Sequence, residues 1–316
     1  MSDLNVGGQA VIEGVMIRSP KRISTAVRRQ SGEIVVKNDD YISLTKRYKI
    51  LGYPVIRGVV SLIEMLVIGI KTLNYSADVA MEEIEEKEGK KKKNPEEKKG
   101  KSWILGLTFV LALGLGIGIF FFLPLFFSNL LKLKKDALAF NLVAGLIRVG
   151  MFLAYVWAIS LFGEFKKIFQ YHGAEHKSIY AYEQGEELKI ENAKKYSTKH
   201  PRCGTSFILV VAIFAILFYS LSDTIYFLLV GTFPSLLRRV LIHFILLPLV
   251  AGGAYEILKL SGKTKENKLT KILIAPGLWL QKITTQEPSD LQLEVAMVAL
   301  ENAVRDEKEI FKKSRK

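Results

Sequence analysis

Hydrophobic and polar residues fall in blocks along this chain. Four stretches are each long and apolar enough to cross about 30 Å of hydrocarbon: Trp103 to Phe127, Leu138 to Phe162, Phe207 to Val230 and Val240 to Leu260. They group as two hairpins, because the connections at Lys132 to Asp136 and Gly231 to Arg239 are too short to hold a domain. The N-terminal part alternates with a strand-like period of two. Ala10 to Arg18 ends at Pro20, and Ser24 to Arg29 is followed by a Ser31-Gly32 turn and Glu33 to Lys37, so two or three short antiparallel strands are expected. Val59 to Ile70 is a further apolar run, interrupted by Glu64 and flanked by Arg57 and Lys71, which suits an interfacial or re-entrant helix better than a span. At the far end, Ser289 with Gln292 three residues on forms a capping box. The helix it opens carries Leu291, Val295, Val298, Leu300 and Val304 among charged residues and reads as amphipathic.

The expected fold is therefore a mainly α, polytopic membrane protein with about four transmembrane helices, an interfacial helix, a small N-terminal β-rich segment and a C-terminal amphipathic helix. The divisions are a cytoplasmic β-rich segment at 1–53, the interfacial or re-entrant helix at 54–81, a charged linker at 82–101, hairpin one at 102–162, a cytoplasmic loop at 163–206, hairpin two at 207–260 and a cytoplasmic C-terminal region at 261–316. The linker mixes eight Lys with seven Glu and almost nothing apolar, which favours a solvated helix extension or disorder.

Charge fixes an expected orientation. Lys and Arg number 45 against 31 Asp and Glu, a formal net charge of +14. With long apolar blocks beside it, this excess suits an anionic lipid surface, and no nucleic acid partner is expected. The polar segments 1–101, 163–206 and 261–316 carry most of the positive charge, so the positive-inside rule puts all three, and both termini, on the cytoplasmic side of an inner (plasma) membrane. Lys132 to Lys135 and Arg238 with Arg239 argue weakly the other way. No signal peptide is legible, so the first span is expected to direct insertion. Cys203 is the single cysteine, which excludes an intrachain disulfide and fits a reducing compartment.

Candidate chemistry concentrates in the 163–206 loop. His172-Gly-Ala-Glu175-His176 places two His four apart, on one face if the segment is helical, with Glu175 beside them as a general base. His-x-x-Glu-His is the inverted form of a zinc-peptidase motif. Gly173 weakens the helix expectation. Downstream, His200-Pro-Arg-Cys203-Gly204 offers the second half of a site for zinc or another divalent metal. Three of the four His and the lone Cys thus share one loop. The bland alternative is a pair of interfacial His and a buried Cys acting as a small hydrophobe. Four ligands would close the sphere and make a metal structural, whereas three would leave an open catalytic position. Glu256 is an alternative third ligand, and His243 lies toward the opposite membrane face.

Two further patterns carry less. Arg148 in span two and Asp223 in span three count to similar depth, so mutual neutralisation is expected, either as a structural pin or as part of a transport path. Gly7-Gly8 and Glu13-Gly14 lack the Gly-Lys-Ser/Thr of a nucleotide loop and are better explained as turns.

Together, Gly7-Gly-Gln-Ala-Val-Ile-Glu-Gly-Val-Met16-Ile-Arg18, Tyr171-His-Gly-Ala-Glu-His-Lys177, His200-Pro-Arg-Cys-Gly-Thr-Ser206 and Thr284-Thr-Gln-Glu-Pro288 resemble the YqhQ family of bacterial membrane proteins over nearly the whole chain. That resemblance implies a domain of unknown function described as a predicted metal-dependent enzyme. The expectation is a metal-dependent membrane enzyme of hydrolase type, with metal ligands drawn from His172, His176, His200 and Cys203, and with Glu175 as catalytic base. The competing expectation is a noncatalytic assembly factor or scaffold in which the same ligands staple the loop to the membrane domain. Substrate, protein partners and oligomeric state leave no mark in the sequence.

Overall fold

The structure is a computed structural model that describes residues 6–87, 107–108, 110–131, 137–263 and 268–314. Positions 88–101 of the charged linker and the connection at 132–136 lie outside them. Four strands, β1 (Gly7–Val11), β2 (Gly14–Arg18), β3 (Arg22–Arg28) and β4 (Ile34–Asp40), form an antiparallel meander in the order β1-β2-β3-β4. The run expected as one strand from Ala10 to Arg18 is instead a hairpin, with Val11 paired to Gly14 across a two-residue turn. Glu13 in that turn has φ of +49°, a left-handed conformation uncommon outside Gly. Its carboxylate accepts from Lys167 Nζ at 3.1 Å and Tyr171 Oη at 3.3 Å, contacts that hold the turn against the fold's core.

The two central strands, β2 and β3, are buried on both faces, Ser24 and Thr25 of β3 included, whereas the outer strand β4 is largely exposed. Val15, Ile17 and Ala26 face one core and Met16, Ile23 and Val27 the other. The second face is covered by Met65, Ile68, Tyr75 and Val79 of a long helix, α2 (Ile56–Lys87), which follows the short α1 (Leu44–Arg47) and a 3₁₀ turn at Lys49–Gly52. α2 continues past residue 81, where the charged segment begins.

Four helices have the length and composition of membrane spans: α3 (Val110–Leu130), α4 (Ala137–Ser160), Phe207–Val230 within α7 (Gly204–Val230), and Leu236–Ile257 within α8 (Leu236–Lys263). Between the hairpins, the 163–206 loop is largely helical: α5 (Gly163–Glu183) carries the His-x-x-Glu-His motif and α6 (Ile190–Lys194) follows. The chain ends in α9 (Lys268–Thr284) and α10 (Asp290–Ser314). The capping box forms as expected, with Gln292 N donating to Ser289 Oγ at 3.4 Å and Ser289 N donating to Gln292 Oε1 at 2.9 Å. On α10 the buried stripe is Leu293, Val295, Ala296, Leu300 and Val304, whereas Leu291 is exposed.

The first sheet face, α5 and α10 share one core, in which Tyr171, Ala174 and Ile179 meet Leu293, Val295 and Leu300. Segments far apart in sequence, at the N-terminus, between spans two and three and after span four, therefore build one polar-side domain. All three consequently lie on the same side of the bundle, as an even number of spans requires.

Within the spans the structure corrects the expected Arg148–Asp223 pair. Asp223 is fully buried and contacts Arg239 Nε at 2.9 Å and His243 Nε2 at 3.2 Å, and it accepts from Asn141 Nδ2 at 2.9 Å. The apolar pattern leaves Arg239 in the connecting loop. In fact α8 begins at Leu236, so Arg239 sits in its first turn and projects inward, its guanidinium 3.7 Å from the centre of the Phe140 ring. Arg148 donates instead from Nε to the Phe120 carbonyl at 2.9 Å. That carbonyl is short of a helical partner because Pro124, four residues on, has no N–H, and a π-helical turn at Gly118–Phe122 marks the same irregularity.

Candidate metal centre

Helix α5 supplies the frame. His172, Glu175 and His176 occupy positions i, i+3 and i+4, hence one face, and Gly173 between them does not break the helix. The glycine has a packing reason: a Cβ there would lie 2.0 Å from the Gln286 carbonyl oxygen. The segment after α9 thus presses directly on α5, and Gln286 N donates to the Phe169 carbonyl at 2.9 Å. Buried Lys177 fastens the same segment by pairing with Glu287.

This close approach brings a backbone carbonyl to each imidazole. His172 Nδ1 lies 2.8 Å from the Thr284 oxygen and His176 Nδ1 2.5 Å from the Thr198 oxygen. A carbonyl only accepts, so both Nδ1 atoms carry hydrogen and donate, which leaves each Nε2 as a lone-pair donor. Such an arrangement at the outer nitrogen is what orients metal-ligating histidines. Cys203, the N-cap residue of α7, brings its Sγ to 3.3 Å from His172 Nε2. One ligand atom from each of His172, His176 and Cys203 lies within 4.8 Å of the others. Imidazole and thiolate are both good zinc ligands, and separations of this order suit three corners of a tetrahedron with bonds of about 2.0–2.3 Å. The donor set therefore fits a divalent ion.

Glu175 stands beside this group. Its Oε2 is 3.5 Å from His176 Nε2 and 3.9 Å from His172 Nε2, and the residue is 4% exposed. Burial pushes its carboxyl above the usual range, against the opposing pull of His172, His200 and the Gly8 amide. Burial likewise holds the His176 imidazole below its ordinary value, against a raising contribution from Cys203, and this favours the neutral form that a ligand needs. Strand β1 closes the site from above: a Cβ on Gly8 would come within 2.7 Å of the Glu175 side chain, so only a glycine lets the strand pass.

His200 is close but turned aside. Its Nδ1 accepts from Arg202 N at 3.2 Å, its Nε2 faces Glu183 at 3.5 Å, and its ring lies 4.4 Å from that of Tyr180. It is locked by Gln281, which accepts from His200 N at 2.7 Å and donates to the His200 carbonyl at 2.9 Å. The structure thus brings together His172, His176, Cys203 and Glu175, and leaves His200 outside the three-atom group. Glu256 is elsewhere, paired with Arg57, and His243 belongs to the Asp223 cluster. The participants that motif reading missed are backbone atoms, Thr284 O, Thr198 O and Gly8 N. The Thr284 to Pro288 motif was visible, but its role as a carbonyl donor was not.

A family model described as "Protein of unknown function (DUF1385)" matches residues 53–306. The "Uncharacterized protein YqhQ" of Bacillus subtilis (strain 168) is 35% identical over 315 residues, covering 95% of this chain and 92% of that protein. No solved structure matches. With a family model over most of its length and a relative over nearly all of it, the chain belongs to the DUF1385 family and is a homologue of YqhQ.

Proposed function

We propose that this protein is a metal-dependent integral membrane hydrolase that holds zinc or another divalent ion through His172, His176 and Cys203, with Glu175 as general base. The observation that carries the reading is the pair of Nδ1–carbonyl contacts, which aim two Nε2 atoms and one sulfur at a common point beside a buried carboxylate. A bound divalent ion would supply Lewis acidity and lower the pKa of a water at neutral pH. Glu175 then takes the proton from the attacking water and returns it to the leaving group, a task its raised pKa suits. The amide of Gly8 keeps the carboxylate in place. Cys203 caps α7 at the base of span three, so the site lies at a membrane face. The shared polar-side domain and its Lys and Arg content favour the cytoplasmic face of the inner (plasma) membrane, with both termini inside and anionic lipid at the surface.

The test uses purified, metal-loaded protein with chromogenic carboxylic and phosphoric esters in detergent. Glu175→Gln should keep the metal and lose turnover by about 10²-fold or more, the usual contribution of a general base. Turnover that survives both chelation and Glu175→Gln would overturn the catalytic reading. Metal retained by Glu175→Gln, no turnover in any variant and loss of fold with Cys203→Ser would favour the structural staple.

A further inference from the structure

Among the described residues, Arg148 is a cation without a counter-ion. The four spans hold two acidic residues, Asp223 and Glu256, and these are taken by Arg239 with His243 and by Arg57. Arg148 uses Nε on the Phe120 carbonyl and lays its guanidinium 5.4 Å from the Phe121 ring centre, while its buried Nη2 has no hydrogen-bond partner among the described residues. Arg148 is the twelfth of the 24 residues of α4, so about 17 Å of helix separates it from the outer end and it lies near mid-bilayer. An uncompensated charge at that depth is costly, and such residues by default mark a functional site.

Arg148 also lines a cavity of about 440 Å³ between α3, α4, α7 and α8. That volume falls within the range of small-molecule sites, about 300–1,000 Å³. The walls are almost wholly apolar, with Gly116, Phe120, Phe152, Ala212 and Ala215 among them, and the polar groups reaching them are Arg148 and the side chain of Tyr219. Gly116 and the two alanines leave space that larger side chains would fill. The long apolar walls extend along α7 from Ile208 to Tyr219, twelve residues or about 17 Å of helix, which is room for an extended chain. Lipid tails would fill the apolar part equally well with or without a head group, so the unpartnered guanidinium decides the chemistry.

We propose that this cavity is a binding site for a long-chain fatty acid or another single-chain amphiphile with an anionic head, whose oxygens take the Arg148 Nη2 donor and neutralise its charge. The site is separate from the metal centre, and occupancy does not require a metal.

Photolabelling of the full-length protein in nanodiscs tests this, with a diazirine-bearing C16 fatty acid compared against the fatty alcohol of the same length. Labelled peptides should map to α3, α4 and α7, and the acid should label about tenfold more than the alcohol, the factor given by about 1.4 kcal/mol of head-group interaction. Arg148→Met should bring the acid down to the level of the alcohol, and Arg148→Lys should keep a preference. Ala212→Phe retains Arg148 and its bond to Phe120 but fills the space, so it should abolish labelling of both probes at these peptides. Equal labelling by acid and alcohol in the wild type would overturn the proposal, as would acid labelling that persists in Ala212→Phe.

Discussion

Replacing Asp223 by Asn should destabilise the transmembrane bundle by about 3 kcal/mol. The carboxylate and the Arg239 guanidinium are 2.9 Å apart at 0% and 1% side-chain exposure, so neither can recruit bulk water when the other is removed. At a charge separation of about 4 Å and an effective dielectric near 20, their attraction is about 4 kcal/mol, and breaking such a pair from one side costs about 3–5 kcal/mol. An amide can still meet Asn141 and His243, which puts Asn at the low end of that range. Unfolding followed in mixed detergent micelles gives the number. A double-mutant cycle then distinguishes the partners: Asp223→Asn with Arg239→Met should show coupling of about 2 kcal/mol, while Asp223→Asn with Arg148→Met should be additive within about 0.5 kcal/mol. Coupling to Arg148 and additivity with Arg239 would refute the reasoning.

Other outcomes follow from close contacts at the proposed metal centre. Gly173→Ala puts a methyl group into the Gln286 carbonyl and should displace the Thr284 oxygen from His172, lowering metal affinity about 10–100-fold in a chelator competition, as loss of an outer-shell partner does. Gly8→Ala should leave metal content unchanged while reducing any Glu175-dependent activity, because its methyl group meets the carboxylate side and not the imidazoles. His200→Ala removes the imidazole that accepts from Arg202 N and should retain the metal while lowering stability by about 1–3 kcal/mol, whereas His176→Ala should lose the metal; equal metal loss in both would place His200 in the coordination sphere. Cys203 is buried and therefore a poor topology reporter, so orientation is better read from exposed Glu187→Cys in a Cys203→Ala background. That thiol should react with a membrane-permeant reagent and resist an impermeant one on intact cells, and the reverse pattern would invert the topology.

Features written in side-chain patterns were legible in the sequence. Apolar blocks gave four spans because hydrocarbon thickness fixes helix length, and the four-residue His spacing put His172 and His176 on one helix face because helical geometry is local. Features made by backbone atoms or by tertiary approach were not. Nothing in a motif says that Thr284 and Thr198 present their carbonyls to the two imidazoles, and Gly173 is a helix weakness by local propensity alone, its packing role lying in the distant Gln286 carbonyl. Equal depth along separate helices pairs Asp223 with Arg148, but α8 begins at Leu236, four residues before the expected start at Val240, and so carries Arg239 to Asp223. Gly7 and Gly8, expected at a turn, lie instead within β1 opposite Arg18 and Ile17, and the glycine at 8 is what lets that strand pass Glu175, a tertiary reason that no local pattern carries.

The most direct test is metal content with X-ray absorption on wild-type protein purified without chelator. One zinc-type divalent ion per chain is expected, with one sulfur at about 2.3 Å and nitrogen or oxygen atoms at about 2.0–2.1 Å. The sulfur contribution should disappear in Cys203→Ala. Protein free of stoichiometric metal, or a coordination shell without sulfur, would rule out a centre built on His172, His176 and Cys203.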